Sequence, residues 1–233
     1  MGDDYCPMSC DPAAGRNGLG YDLAKALFAP LGWDVRYEFL PWQRGLKYFN
    51  EGRVDLLPGV PKDGSRELVG AQFATQPVMA PRMCFYTRAG ATWIYENTDS
   101  LLQGRLGVIA GYYYWPELRD YLKAHAQDGK VDTMSSDKAM ALSVLRLARK
   151  RVDYFAELRP AVEYQLLQQG LRDEIREASC LHSYPLYMAF RPGFSAAAEL
   201  NRHWDAQLLP FLHSPEGTRI LSTYGLTLRS IFE

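Results

Sequence analysis

Cysteine is scarce here: four in 233 residues, too few for a scaffold built on disulfides. Cys6 and Cys10 lie close together in a loop-like stretch, Tyr5-Cys6-Pro7-Met8-Ser9-Cys10. That spacing could close a small disulfide in an oxidising compartment, and the sequence leaves the question open. A zinc site would need two further ligands, and Cys84 and Cys180 lack the paired spacing that zinc requires. The four histidines, His125, His182, His203 and His213, show no H-E-x-x-H spacing. Charge of either sign is not in excess, with a formal net charge of −1, which gives no reason to expect nucleic acid as a partner. No apolar run approaches the roughly 18–20 residues of a membrane span. There is no Walker loop, kinase signature or G-x-S-x-G elbow. Gly18-Leu19-Gly20 lacks both a preceding strand and the third glycine of a dinucleotide fingerprint. Neither a metal nor a cofactor is therefore expected, and no catalytic residues are assigned.

What is present is an ordinary globular composition, 47% hydrophobic and 23% charged, with 13% aromatic residues. The tripeptide Arg-Val-Asp occurs twice, at Arg53-Val54-Asp55 and Arg151-Val152-Asp153. Each copy follows a helical pattern and precedes a short apolar strand. The two lie about one small domain apart along the chain. This duplication predicts two similar α/β lobes, each presenting the carboxyl end of a strand, where open α/β sheets bind ligands.

Periodicity fills in the elements. Leu23, Ala24, Leu27, Phe28 and Leu31 form one stripe of a helix starting at Tyr21. The stretch from Asp34 to Leu40 alternates at period two and predicts a strand, followed by a helix from about Trp42 to Glu51. Further strands are predicted over 56–57, 82–87, 106–109, 131–134, 154–156 and 184–190, with a polar connection from Arg88 to Gln103. Helices are predicted over 116–125, from Ser135-Ser136-Asp137 through Ala148, and over 160–169, 196–211 and 216–224.

Several residues are candidates for ligand contact. Trp42 stands where a strand meets a helix start; a tryptophan there packs under its helix or stacks on a ligand. Tyr112-Tyr113-Tyr114-Trp115 occupies the equivalent turn of the second lobe, after Gly111. Four adjacent rings cannot all enter one core, so at least one should face outward. The free N–H groups of the helix start beside them suit an anion. Arg66 follows Pro58-Gly59 in a loop, as a solvated charge or as an anion binder. Glu157 ends a strand that reads as buried, so a structural arginine such as Arg159 or a donor on a ligand should satisfy it.

The ordered set Gly20-Tyr21-Asp22-Leu23-Ala24-Lys25-Ala26-Leu27, Leu40-Pro41-Trp42-Gln43-Arg44, Gly52-Arg53-Val54-Asp55-Leu56, Arg66 ahead of Phe73-Ala74-Thr75-Gln76-Pro77, the second Arg-Val-Asp, Tyr184 to Phe190, and Tyr224-Gly225-Leu226 resembles the type 2 periplasmic solute-binding proteins. It is most similar to the extracellular family 3 group, which serves amino-acid and related ABC importers. The resemblance spans nearly the whole chain. It implies two α/β lobes joined by two hinge strands, lobe 1 over 1–87 and 191–233 and lobe 2 over 88–190. It further implies a monomer in the periplasm, its signal peptide removed, that closes on a small solute and hands it to a membrane permease. The contacts implied are Trp42, Arg66 and the backbone near Gly59 from lobe 1, Tyr112, Tyr113 and Glu157 from lobe 2, and Tyr5 at the rim.

Four departures from the family pattern stand out, the last three at ligand-binding positions. Family members carry a strand before the position of Tyr5, and only four residues precede it here; a chain shortened together with its leader is expected. Pro61 stands where amino-acid binders place a threonine that offers its N–H, and proline has none. Leu158 aligns with the acid that receives an α-amino group, while Glu157 points to the opposite face of a regular strand. Tyr112 and Tyr113 replace small hydroxyl residues. Pro61, Leu158 and the two tyrosines point away from a standard α-amino acid and toward a solute with a ring or apolar part, with Arg66 suited to an acidic group. Two other classes remain in view: the sensor domain of a receptor, and an enzyme such as a dehydratase, for which Glu157 is the visible acid.

Overall fold

Contacts along the chain divide it into two units, 1–81 with 183–233, and 82–182. The computed structural model describes residues 5–62, 68–136, 138–183 and 185–232.

In the first unit, α1 (Leu19–Phe28) buries Leu19, Leu23, Ala24, Leu27 and Phe28, the stripe its 3.6-residue period dictates. The helix begins at Gly18, where φ is +109° and an added Cβ would sit 2.5 Å from the Met8 carbonyl oxygen, so glycine is required. α2 (Trp42–Asn50) follows Pro41. The strands β1 (Leu56–Val60), β2 (Gln72–Phe73) and β8 (Tyr187–Phe190) make an antiparallel sheet in the order β1-β8-β2. Phe28 packs 6.1 Å from both Phe190 and Trp204, ring to ring. Trp204 belongs to α6 (Ala197–Leu212), where it is fully buried, and its Nε1 donates to the Gln76 carbonyl at 3.1 Å. Asp205, next on that helix, accepts from the N–H groups of Thr75 and Gln76 at 2.8 and 2.7 Å. α7 (Pro215–Thr223) starts under a Ser214 cap, and α8 (Leu228–Phe232) completes the unit.

The second unit has a five-stranded sheet in the order β5-β4-β6-β3-β7. These strands are β3 (Arg82–Arg88), β4 (Leu106–Ile109), β5 (Val131–Met134), β6 (Tyr154–Leu158) and β7 (Ile175–Ser183). β4 runs parallel to β5 and β6, while β3 is antiparallel to β6. α3 (Pro116–Ala124), α4 (Ala139–Ala148) and α5 (Arg159–Gln169) connect or follow the parallel strands, the βαβ arrangement the periodicity predicts.

Four findings correct the sequence reading. Residues 34–40 form no strand: β1 is the last strand of its sheet, and no partner strand takes up that segment among the described residues. β1 also runs through Pro58 and Gly59 instead of stopping at them. The strand starting at Arg82 lies in the second unit, because Met83 and Cys84 pair with Leu158 and Glu157. Conversely, residues 187–190 lie in the first unit, because β8 is the central strand between β1 and β2. The units therefore part at Pro81/Arg82 and His182/Ser183, earlier than the boundaries near 87 and 190.

The connection over 88–103 is ordered by rings. Trp93 stacks on Tyr154 at 3.7 Å and Tyr95 on Phe85 at 3.9 Å. The Arg176 guanidinium donates to the carbonyls of Ala91 and Trp93, and Trp93 Nε1 donates to the Ser100 carbonyl.

Candidate functional site

Three of the first unit's candidates fall at the carboxyl end of β1. Gly59 has φ +77°, and a Cβ there would lie 2.8 Å from Met8 Cγ. Met8 is buried, and its N–H, like that of Ser9, donates to the Tyr5 carbonyl. The loop carrying Tyr5 is thereby seated against Gly59, closed on itself by the Cys6–Cys10 disulfide. Trp42, at the first turn of α2, packs half-buried on the cluster of Leu46, Phe49, Leu57, Val60, Leu68 and Ala189. Part of its area thus serves the core. Arg66 lies outside the described residues. Lys62, which no motif singled out, sits 3.9 Å above the Tyr187 ring, and Tyr187 is the register partner of Val60. A cation two residues past a strand end was the available signal.

In the second unit, Gly111 (φ +75°) turns the chain out of β4 into the four aromatic residues. The structure splits them in pairs. Tyr114 is buried, and its hydroxyl accepts from the Ile109 N–H at 2.9 Å. Trp115 is buried edge-on to Phe85. Tyr112 and Tyr113 stay half-buried, with the Tyr113 ring 5.2 Å from the Arg119 guanidinium. α3 starts directly behind them with Pro116 in its first turn and no side-chain cap.

Glu157 is 2% exposed, and its Oε1 accepts from the Leu158 N–H at 2.7 Å. Arg159, its anticipated partner, instead holds Glu177 with two hydrogen bonds of 2.8 and 2.9 Å. Burial raises the pKa of the Tyr114 hydroxyl well above its ordinary value, and the Glu157 charge adds to that. Burial does the same for Tyr86, reinforced by Glu177, Glu163 and Glu157 and opposed by Arg159. Both phenols are thus held neutral beside a carboxylate.

All four cysteines are bonded, Cys6 to Cys10 and Cys84 to Cys180. Among the described residues, Cys84, Glu177 and Cys180 form a group whose ligand atoms lie within 4.8 Å of one another. With both sulfurs in a disulfide, only the carboxylate of that group is a strong ligand.

No protein-family model matches the sequence, and no curated protein does. Solved structures do. A histidine kinase sensor domain with similarity to periplasmic binding proteins superposes with a TM-score of 0.75 at 16% identity, covering 97% of this chain and 94% of that one. The chain has the type 2 periplasmic-binding-protein fold. An ABC uptake transporter substrate-binding protein from Streptococcus pneumoniae, solved with bound histidine, shares that fold at a TM-score of 0.73 and 16% identity, over 96% and 89% of the two chains. So does the arginine-, lysine-, histidine-binding protein ArtJ from Geobacillus stearothermophilus, at 0.73 and 13%, over 96% and 92%. No helix among the described residues is long and apolar enough to cross a membrane.

Proposed function

We propose that this chain is a solute-binding protein of the periplasm. It captures a small polar solute, an amino acid or a related compound with a ring or acidic part, and delivers it to an ABC importer. The observation that carries this reading is the fold, shared across 96% of the chain with an ABC uptake transporter substrate-binding protein solved with bound histidine and with an arginine-, lysine-, histidine-binding protein. The candidate contacts are Trp42, Arg66, Tyr5 and the backbone at Gly59 in the first unit, and Tyr112 and Tyr113 in the second. Glu157, buried with its Oε1 on the Leu158 N–H, is the further candidate contact from the second unit. Pro61 and Leu158 replace groups that hold an α-amino acid, so the solute is better described by its acid and its ring. Two disulfides in four cysteines suit an oxidising compartment. Binding without chemistry is the simplest use of rings and one guanidinium.

A ligand-induced thermal shift across a library of amino acids, aromatic acids and short peptides tests this. A saturable rise with one chemical class, abolished by Trp42→Ala and by Arg66→Ala, is expected. No shift from any compound on a folded protein would overturn the reading.

A second reading is favoured by one observation, the histidine kinase sensor domain that covers 97% of this chain. There the same solute would be sensed, not carried. A membrane span continuous with this chain in the full-length protein decides for the sensor.

A further inference from the structure

The chain passes between its two units only through β3 and β7, and a disulfide joins these strands close to both passages. Cys84 is the third residue of β3, and Cys180 lies three residues before the end of β7. The two sulfurs have unlike surroundings. Cys84 is completely buried, whereas Cys180 is half-buried. Arg159 places its NH2 group 3.4 Å from the Cys180 sulfur while holding Glu177. The Arg82 carbonyl oxygen lies 3.8 Å from the Cys84 sulfur. Arg82 also reaches across to the carbonyls of Cys180 and Leu181, so the strands stay hydrogen-bonded around the cross-link.

We propose that Cys84–Cys180 is a thiol–disulfide exchange site, with Cys180 as the exchanging sulfur and Arg159 as its positioning residue. A thiolate of a small dithiol attacks the sulfur of Cys180, the less buried of the two residues. The S–S bond breaks, and Cys84 leaves as a thiolate that takes up a proton and directs its S–H toward the Arg82 carbonyl. The second thiolate of the dithiol then attacks its own sulfur in the mixed disulfide and expels Cys180. The dithiol is oxidised by two electrons to a disulfide, and the two cysteines are reduced. Arg159 stabilises the released Cys180 thiolate, because a guanidinium in contact with sulfur favours its charged form. Glu177, held by the same guanidinium and with a carboxylate oxygen within 4.8 Å of the sulfur, opposes this. The buried Cys6–Cys10 pair offers no comparably exposed sulfur. Reduction would thus release the covalent tie between the two crossing strands and leave the loop at Tyr5 closed.

The test is differential alkylation of the native protein. After dithiothreitol treatment without denaturant, iodoacetamide is added at a series of pH values and labelled peptides are quantified by mass spectrometry. The proposal expects Cys84–Cys180 to open before Cys6–Cys10, and Cys180 to label faster than Cys84, with a midpoint below the ordinary thiol value of about 8.5. Arg159→Gln should raise that midpoint and slow Cys180 labelling at pH 7 by about fivefold. Glu177→Gln should move the midpoint the other way, and it keeps the question open to test should Arg159→Gln fail to fold. Cys6–Cys10 opening first, Cys84 labelling first, or a Cys180 profile unmoved by either substitution would each overturn the proposal.

Discussion

Asp55 and Asp153 hold the same position in two different sheets. Each ends an Arg-Val-Asp tripeptide, and each closes an ion pair with an arginine at the end of the neighbouring antiparallel strand. Asp55 Oδ1 accepts from Arg191 Nε at 2.7 Å, just past β8. Asp153 Oδ1 accepts from Arg88 NH2 at 3.0 Å, on the last residue of β3. The repeat in the sequence is thus a repeated clasp. Asp153 does more, since its Oδ2 also accepts from the Arg105 N–H at 2.9 Å, joining β4 to the clasp.

The unequal contacts predict unequal costs. Asp153→Ala leaves a half-buried guanidinium and one backbone N–H to find new partners. It should destabilise the protein by about 1–2 kcal/mol, discounted for its partial exposure. Asp55→Ala loses one side-chain contact at a more exposed site and should cost roughly half as much. Urea denaturation of both variants checks this; equal costs would show that the Arg105 contact adds nothing.

The two clasps are preceded by the same helix stop, made with different residues. After α2, Gly52 takes φ +76°, and the Arg53 N–H donates back to the Tyr48 carbonyl. After α4, Lys150 takes φ +59°, and the Arg151 N–H donates back to the Arg146 carbonyl. A left-handed conformation is free for glycine and costs a side-chain-bearing residue about 1 kcal/mol. Lys150→Gly should therefore stabilise the protein by up to about 1 kcal/mol, less the extra entropy glycine gives the unfolded chain. Thermal melting should show a rise; a fall would mean that the Lys150 side chain contributes more than its backbone costs.

Sequence periodicity reached the helices whose side chains divide between core and solvent: Leu19 to Phe28 and Ala139 to Ala148 carry their burial in their spacing. Leu106 to Ile109, buried at every position, was legible as a short apolar run before a glycine turn. β7 does not carry its burial in its spacing, because Ile175-Arg176-Glu177-Ala178-Ser179-Cys180-Leu181-His182-Ser183 is buried at one end and half-open along most of its length. Its pattern reflects partners far away in the chain: Arg176 serves the strap over 91–96, Glu177 serves Arg159, and Cys180 serves Cys84. The Cys84–Cys180 bond spans 96 residues of sequence, so no local spacing could announce it. The alternation over 34–40 misled for the opposite reason, since a strand needs a neighbour as well as a pattern. Of the candidate site, the aromatic turn after Gly111 was legible as a turn. Which two of its rings are buried was decided by Phe85 and the Ile109 N–H.

Tyr224 ties the C-terminal region to the first helix: its hydroxyl donates to Asp22 Oδ2 at 2.6 Å and accepts from the Gly18 N–H at 2.9 Å. Burial raises its pKa strongly, and the hydrogen bond to Asp22 and that residue's charge raise it further. The sign follows from proton binding. The folded protein keeps a proton that the unfolded chain releases near pH 10, so this stability is whole below about pH 10 and is lost as pH rises beyond it. Tyr86 and Tyr114, also raised, act in the same direction. Unfolding free energies measured from pH 8 to 11.5 should fall with a slope that Tyr224→Phe makes shallower. That variant should also lose about 1–2 kcal/mol at neutral pH, where Gly18 and Asp22 lose a partner. An unchanged alkaline slope would remove Tyr224 from the account.

The strap over 91–96 is held in two ways that can be separated. Its rings stack on Phe85 and Tyr154, and its carbonyls accept from one guanidinium, Arg176, at 2.7–3.0 Å. Arg176→Ala removes only the second hold. The strap's backbone should then exchange amide hydrogens faster, while the rest of the second unit keeps its protection, because local opening is governed by local contacts. Trp93→Ala removes a ring stacked at 3.7 Å and should cost about 2–4 kcal/mol, less than for a fully buried tryptophan, because Trp93 is half-exposed. It should also raise exchange in Tyr154, on β6 beneath it. Hydrogen exchange read by mass spectrometry distinguishes the two. If Arg176→Ala loosens β6 as much as Trp93→Ala does, the guanidinium supports the sheet itself, and the strap is not a separately held layer.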